Sequence, residues 1–238
     1  MAMRLMLCFP PAGAGASFFH PWIGQSSELT VHPVELPGRE KRFAEAPCES
    51  LPALINGLLP ELLAQADDAE QIVVFGHSFG TLLAYETTRA LLARAPGLDV
   101  TLVVSGAGVP GRRLADPVTG LPDDEFVARV RHIAGYHHPA WDEPELREML
   151  LPALRADMRM YERYRPTGQQ PLSCPILAVR GNADTLVAPD ALDGWQRLTT
   201  GEFHRAEIDG GHMYLVEGWP TLLELVDRQL RPRQVSHG

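Results

Sequence analysis

The chain has 238 residues with a formal net charge of −9, and hydrophobic residues make up 45% of it. This size suffices for one domain with a full core, and the negative charge argues against nucleic acid as a partner. Three widely spaced cysteines predict a reduced, cytoplasmic location. An early apolar run is interrupted by Pro10 and Pro11, so we expect no signal peptide, and no run approaches the ~20 apolar residues of a membrane span.

Strand-like and helix-like segments alternate along most of the chain. Short apolar runs predict strands near residues 4–9, 30–36, 71–76, 100–106, 175–180 and 203–208. Longer periodic runs predict helices near residues 51–65, 80–95, 189–199 and 215–230. This alternation predicts a single domain over residues 1–238 of the α/β class, with a mostly parallel central sheet covered by helices on both faces.

The first predicted strand is followed by a loop of small residues, Pro10 to Ser17. Small side chains let a backbone approach a ligand closely, which suits either a nucleotide phosphate or the oxygen of a substrate carbonyl. The nucleotide interpretation is weak because the later glycine of the dinucleotide-binding motif is missing. We expect the backbone N–H of Ala12 to donate a hydrogen bond to a carbonyl oxygen.

A glycine-flanked serine follows the third predicted strand. The sequence Gly76-His77-Ser78-Phe79-Gly80 stands between the apolar run 71–75 and a helix-like stretch from Thr81 to Arg94. Strand, G-x-S-x-G turn and helix together predict the nucleophile elbow of an α/β-hydrolase, in which Ser78 is the nucleophile. In that arrangement the N–H of Phe79 joins that of Ala12 in an oxyanion hole. An ordinary glycine-rich turn is the alternative.

The alternation breaks between Ala107 and Pro171, where two helix-periodic stretches replace the expected strand. The stretches are Asp123 to Ala134 and Pro144 to Arg165, and the second has an apolar stripe formed by Leu146, Met149, Leu150, Ala153, Leu154 and Met158. Two helices packed on the core would explain this pattern. The position above the strand ends favours a mobile helical lid, which we place at residues 110–170, with Met149 and Met158 in contact with substrate.

A serine nucleophile needs a base and an acid, which follow it in this fold in the order acid, then histidine. Asp184 lies in the loop after the strand near 175–180 and is the predicted acid. His212 lies after the strand near 203–208 and is the predicted base. The alternatives are Asp190, Asp193 and Asp209 for the acid and His77, His132, His137 and His138 for the base; none has the expected position.

Several blocks of sequence resemble one family over nearly the whole chain. They are Cys8 to Gly13, Glu35-Leu36-Pro37-Gly38-Arg39-Glu40, the elbow, Pro144-Glu145-Leu146, Leu151 to Asp157, Glu162-Arg163-Tyr164 and Gly210-Gly211-His212. The chain thereby resembles the stand-alone, type II thioesterases of polyketide and nonribosomal peptide assembly lines. One departure is Gly13-Ala14-Gly15, where the family usually has adjacent glycines.

The resemblance implies hydrolysis of acyl groups from the phosphopantetheine arm of acyl or peptidyl carrier proteins, which clears stalled units from a synthase. It implies no cofactor, no metal and no membrane partner. The residues alone indicate only a lidded serine hydrolase. A carboxylesterase or acyl-CoA thioesterase, an acyltransferase or cyclase, and a catalytically silent protein that docks on a synthase therefore stay open.

Charge adds one expectation about the carrier protein. Carrier proteins are usually acidic, so docking needs a less acidic face on this chain. Segment 125–165 contains seven arginines and seven acidic residues, so its net charge is zero against −9 for the whole chain. Pairing of these arginines with neighbours on the same helix is the alternative explanation.

Overall fold

The computed structural model describes residues 4–111, 117–134, 139–166, 168 and 170–230. Its strands are β1 (Arg4–Phe9), β2 (Leu29–Pro33), β3 (Gln71–His77), β4 (Val100–Ser105), β5 (Ile176–Gly181) and β6 (Phe203–Ile208). They form one sheet in the order β2-β1-β3-β4-β5-β6, and all neighbouring pairs among them are parallel. The predicted α/β fold with a parallel central sheet is confirmed.

The helices that flank the sheet are α1 (Leu51–Ala66), α2 (Phe79–Arg94) and α5 (Leu215–Leu230). Shorter 3₁₀ helices, which the sequence did not predict as such, cover Ala16–Trp22, Glu40–Arg42, Pro139–Trp141 and Pro189–Leu198. The helix predicted near 189–199 is present as the 3₁₀ helix Pro189–Leu198, and Gly194 in its interior disfavours a regular α-helix. Strand β2 also ends earlier than predicted, at Pro33.

Each face of the sheet has its own hydrophobic core, because successive strand residues point to opposite faces. Leu5, Leu7 and Phe9 of β1 pack in the core that contains α1 and α2. The alternate residues Met6 and Cys8 pack in the core that contains α5 and the 3₁₀ helix Ala16–Trp22. Burial on both faces explains why the central strands β1, β3, β4 and β5 are mostly apolar, whereas the edge strands β2 and β6 include exposed polar residues.

The strand order places the loops after β1 and β3 at one crevice. These two strands are neighbours, but β1 is followed by the outer strand β2 and β3 is followed by β4 on the other side. Ligands of open parallel sheets bind where the order reverses in this way, beyond the carboxyl ends of the strands. The loop that contains Ala12 and the turn that contains Ser78 therefore meet at this crevice.

A helical insertion connects β4 to β5. It contains α3 (Asp123–Ala134), the 3₁₀ helix Pro139–Trp141 and α4 (Pro144–Arg163). It has a small core of its own, formed by Val118, Phe126, Val127, Leu154 and Met158. At the C-terminal end of the insertion, Met160 and Tyr164 join the main core. His137 and His138 lie outside the described residues.

Candidate active site

The backbone turns sharply at Ser78, and this turn is possible because the neighbouring glycines have no Cβ. Ser78 has φ 54° and ψ −117°, a strained conformation for a residue with a side chain. A Cβ on Gly76 would lie 2.0 Å from the carbonyl oxygen of Gly80. A Cβ on Gly80 would lie 2.3 Å from the carbonyl oxygen of Phe9, at the end of β1. The two glycines thus permit the sharp turn and bring the start of α2 against the loop after β1.

The structure brings the three residues of the predicted triad into one hydrogen-bonded line. His212 Nε2 is 3.1 Å from Ser78 Oγ, and His212 Nδ1 is 2.9 Å from Asp184 Oδ2. The side chains of His212 and Asp184 are 8% and 0% exposed. With Nδ1 donating to the carboxylate, Nε2 of a neutral imidazole is free to accept the proton of the serine hydroxyl.

Asp184 is held as a carboxylate by donors on both oxygens. Its Oδ1 accepts hydrogen bonds from the backbone N–H groups of Leu186 and Val187, at 2.8 and 3.1 Å, and its Oδ2 faces His212. Burial by itself would raise the pKa of Asp184, but the hydrogen bonds from His212 and from the two backbone groups outweigh it and hold the pKa below its usual value. The group therefore stays charged at neutral pH.

The competing carboxylate has a different partner. Asp209 Oδ1 accepts a hydrogen bond of 2.7 Å from Asn182 Nδ2 on the neighbouring loop. The two loops pack so closely that a Cβ on Gly181 would lie 2.2 Å from the carbonyl oxygen of Gly211. Asp209 thus fastens the loop of His212 to the loop of Asp184, and it is Asp184 that contacts the imidazole.

A second histidine lies behind the first, in a network that sequence reasoning missed. His77 Nδ1 is 2.8 Å from Ser105 Oγ, which is 2.7 Å from the hydroxyl of Tyr214. The rings of His77 and His212 are 5.1 Å apart between centroids. Burial, together with the nearby charge of His212, holds the pKa of His77 well below its usual value. His77 is therefore neutral and lies behind the imidazole of His212. Its partners come from β4 and from the residue before α5, so no local sequence pattern indicates them.

The two backbone N–H groups predicted to form an oxyanion hole belong to the loop after β1 and to the start of α2. Ala12 lies in a turn closed by a 3.1 Å hydrogen bond from Ala14 N to Pro11 O, with Gly13 at φ 76°. A type II turn needs glycine at that position, so Ala14 between two glycines is compatible with the loop. Phe79 is the first residue of α2. Neither Ala12 N–H nor Phe79 N–H donates a hydrogen bond to any residue that the structure describes.

A small cavity of about 20 Å³ opens beside Ser78. Leu82 of α2, Ala107 after β4, and Tyr161 and Tyr164 at the end of α4 are among the residues that line it. A volume of this size holds roughly one water molecule, not an acyl chain.

The structure does not bring Met149 or Met158 to this cavity. Met149 is 49% exposed and lines an outer groove between α4 and the segment 38–47, beside Phe43 and Pro47. Met158 is 8% exposed and lies in the core of the insertion. The predicted apolar stripe of α4 is thus divided between solvent and core, because the N-terminal half of α4 borders the groove while its middle packs on α3.

Among the residues that the structure describes, no group of three or more His, Cys, Asp or Glu side chains is placed to hold a metal ion. Within the same ranges, no helix has the length and apolar character needed to cross a bilayer. The hydrogen-bonded line of Ser78, His212 and Asp184 is an arrangement that suits nucleophilic attack on a carbonyl carbon.

Comparison with known proteins identifies the family. The thioesterase domain family model matches residues 4–230. The gramicidin S biosynthesis protein GrsT of Aneurinibacillus migulanus is 32% identical over 228 residues, covering 95% of this chain and 88% of that protein. Thioesterase PikA5 of Streptomyces venezuelae is 34% identical over 224 residues, covering 92% of this chain and 77% of its own length. The structure of the type II thioesterase BorB, from the borrelidin biosynthetic cluster, has a TM-score of 0.85 and 35% identity over 96% of this chain and 93% of that one. The chain therefore belongs to the thioesterase family, and the resemblance to its stand-alone, type II members is confirmed.

Proposed function

We propose that this chain is a serine thioesterase that hydrolyses acyl groups from the phosphopantetheine arm of a carrier protein, and so removes stalled units from a polyketide or nonribosomal peptide synthase. The observation that carries the chemistry is the line from Ser78 through His212 to Asp184, with two unpaired N–H groups beside the serine. The pathway class is supported by the relatives GrsT, a gramicidin S biosynthesis protein, and BorB, a type II thioesterase from the borrelidin biosynthetic cluster.

Acylation begins when Ser78 Oγ attacks the thioester carbonyl carbon and His212 Nε2 takes the hydroxyl proton. Asp184 holds the imidazole in the required tautomer and stabilises the imidazolium that forms. The N–H groups of Ala12 and Phe79 bind the oxyanion of the tetrahedral intermediate. The C–S bond then breaks, and the leaving thiol, whose pKa is about 8.5 like that of cysteine, departs as a thiolate or takes the proton from His212.

Deacylation follows the same route with water as nucleophile. His212 takes a proton from water, the hydroxide adds to the carbonyl carbon of the acyl-enzyme, and the proton returns to Ser78 Oγ as the acid leaves. The sum is one thioester and one water converted to one acid and one thiol. We place this reaction in the cytoplasm, and the free thiols of Cys8, Cys48 and Cys174 are compatible with a reduced compartment.

The test of this proposal uses acyl-loaded carrier proteins and intact mass measurement before and after incubation with the enzyme. Loss of the acyl mass with the phosphopantetheine arm retained is expected, at a rate above that for acyl-CoA or simple esters with the same acyl group. A preference for free acyl-CoA would favour the acyl-CoA thioesterase alternative, and an acyl group found on an alcohol or amine would identify an acyltransferase.

Ser78→Ala removes the nucleophile and should lower turnover by about 10⁴ or more, as in other triad enzymes. A fluorophosphonate probe should label Ser78 in the parent enzyme and no residue in the variant, as read by peptide mass. Full activity of the variant, or labelling of a different serine, would contradict the assignment.

A further inference from the structure

A buried ion pair connects two sequence blocks that the triad does not use. Arg39, in the L-P-G-R block, donates from Nη1 and Nη2 to Oδ2 and Oδ1 of Asp157 on α4, each at 2.8 Å. The two side chains are 6% and 0% exposed. Moving such a pair out of water is costly, and an apolar pair of similar volume is often no less stable. Stability alone is therefore a weak explanation for it.

Both members of the pair contact the loop that contains Ala12. Asp157 Oδ2 accepts a hydrogen bond of 2.9 Å from the backbone N–H of Gly13. Arg39 Nη1 donates a hydrogen bond of 2.9 Å to the backbone carbonyl of Ala14. These are the two residues that follow Ala12, so the pair fixes the peptide groups that complete its turn.

The residue after Arg39 holds the same loop further along. The carboxylate of Glu40 accepts a hydrogen bond of 3.0 Å from the backbone N–H of Ser17 and another from its hydroxyl. Glu40 has φ 48°, a strained conformation that points to a constraint at this position. Gly15 makes room for it, because a Cβ there would lie 2.3 Å from the Glu40 carboxylate.

We infer that Arg39 and Asp157, assisted by Glu40, are positioning residues that hold the loop after β1 so that the N–H of Ala12 points at the developing oxyanion. This inference rests on the proposed function for its catalytic consequence. The clamp also joins α4 to the oxyanion hole.

The test replaces the pair without leaving a buried charge, in the double variant Arg39→Met with Asp157→Leu. Apolar residues of similar volume should preserve folding, which a thermal melt checks. Glu162→Gln is the matched control, because Glu162 lies on the same helix and accepts hydrogen bonds from Val118 and Thr119 but none from residues 11–17. Both proteins are compared with the parent by hydrogen–deuterium exchange and by kinetics.

We expect faster amide exchange in residues 11–17 of the double variant and not of Glu162→Gln. With butyryl-N-acetylcysteamine as substrate, kcat should fall on the order of 10²-fold while KM stays within about threefold, as for loss of one oxyanion donor. The inhibition constant of a butyl trifluoromethyl ketone, which forms an oxyanion on Ser78, should rise by a similar factor. The Glu162→Gln enzyme should keep the parent values.

The inference would be overturned if amide exchange in residues 11–17 of the double variant equalled that of the parent. It would also be overturned if the double variant had the same kcat as Glu162→Gln at a comparable melting temperature. A parent enzyme that hydrolyses no thioester would instead refute the proposed function, and the exchange experiment would still decide whether the pair holds the loop.

Discussion

At the scale of single residues, the environment of each group determines what it can do. Ser78 is held in a strained backbone conformation, which costs on the order of 1–3 kcal/mol and persists because Gly76 and Gly80 let the strand and helix close around it. Of the two carboxylates near His212 in the fold, one contacts the imidazole and the other contacts an amide. Position after a strand, and not closeness in sequence to His212, therefore predicted which carboxylate contacts the imidazole.

Asp184→Asn should leave the fold intact and lower turnover by up to ~10⁴, because the amide no longer selects the tautomer that leaves Nε2 free to accept a proton. Asp209→Asn should cost far less, since its partner is Asn182. Steady-state rates of the two variants on one thioester, with melting curves alongside, check the prediction. A larger loss for Asp209→Asn would show that the loops are assigned to the wrong roles.

At the scale of elements, α4 has three different surroundings along its length. Its N-terminal half borders the outer groove, its middle packs in the core of the insertion, and its C-terminal end lines the cavity beside Ser78. At that end the Tyr164 hydroxyl donates to Glu86 of α2. Motion of the whole segment 110–170 as one lid would break this bond and the clamp at Asp157, so we expect opening to be confined to the part before Asp157.

Met149 and Met158, both predicted to contact substrate, lie in different environments, so a substitution at each one tests a different property. Met158→Trp should overpack the core of the insertion and lower the free energy of unfolding by about 1–3 kcal/mol. Each kcal/mol lost should lower the melting temperature by roughly 2–4 °C. The rates of this variant should fall alike for short and long acyl carriers. Met149 is exposed, so Met149→Trp should change the free energy of unfolding by no more than about 0.5 kcal/mol.

If acyl chains pass along the outer groove, Met149→Trp should change the ranking of short against long acyl carriers without a change in melting temperature. An unchanged ranking would show that Met149 is not on the path of the substrate, and selectivity would then be sought at Leu82 and Tyr161, which line the cavity.

At the scale of the whole molecule, the charge of the chain is −9, and at least four of the seven arginines in the neutral segment 125–165 form ion pairs. Arg131 pairs with Asp142, Arg147 with Asp124, Arg155 with Asp123 and Arg159 with Glu49. These acids lie on other turns and elements, so pairing is tertiary and not between helix neighbours. The arginines thus hold the insertion together.

Docking on an acidic carrier should accordingly depend little on long-range attraction. We expect KM for an acyl carrier protein to change by less than about threefold between about 50 mM and about 300 mM NaCl, a range over which exposed charge pairs are strongly screened. A titration of KM against NaCl concentration checks this. A steep rise in KM with salt would indicate a basic docking face, and the acyl-N-acetylcysteamine substrate serves as the control without a carrier.

The features that the sequence alone determined are local ones. The alternation of strand-like and helix-like segments predicted the parallel sheet. Its strands were recognisable as short apolar runs because a strand buried on both faces is mostly apolar. Gly76 and Gly80 predicted the turn at Ser78 because only glycine fits two residues on either side of it. Asp184 and His212 followed from their places after consecutive strands, since the carboxyl ends of parallel strands meet at one edge.

Only the tertiary structure decided which distant groups meet. Arg39 and Asp157 are 118 residues apart, and Ser105 and Tyr214 are 109 apart, so no local spacing could pair them. The apolar residues of α4 were correctly identified as a stripe, but burial of Met158 and exposure of Met149 depend on what packs against each turn. Periodicity reports the shape of one segment, whereas burial, ion pairing and the closed cavity beside Ser78 are set by the packing of the whole chain.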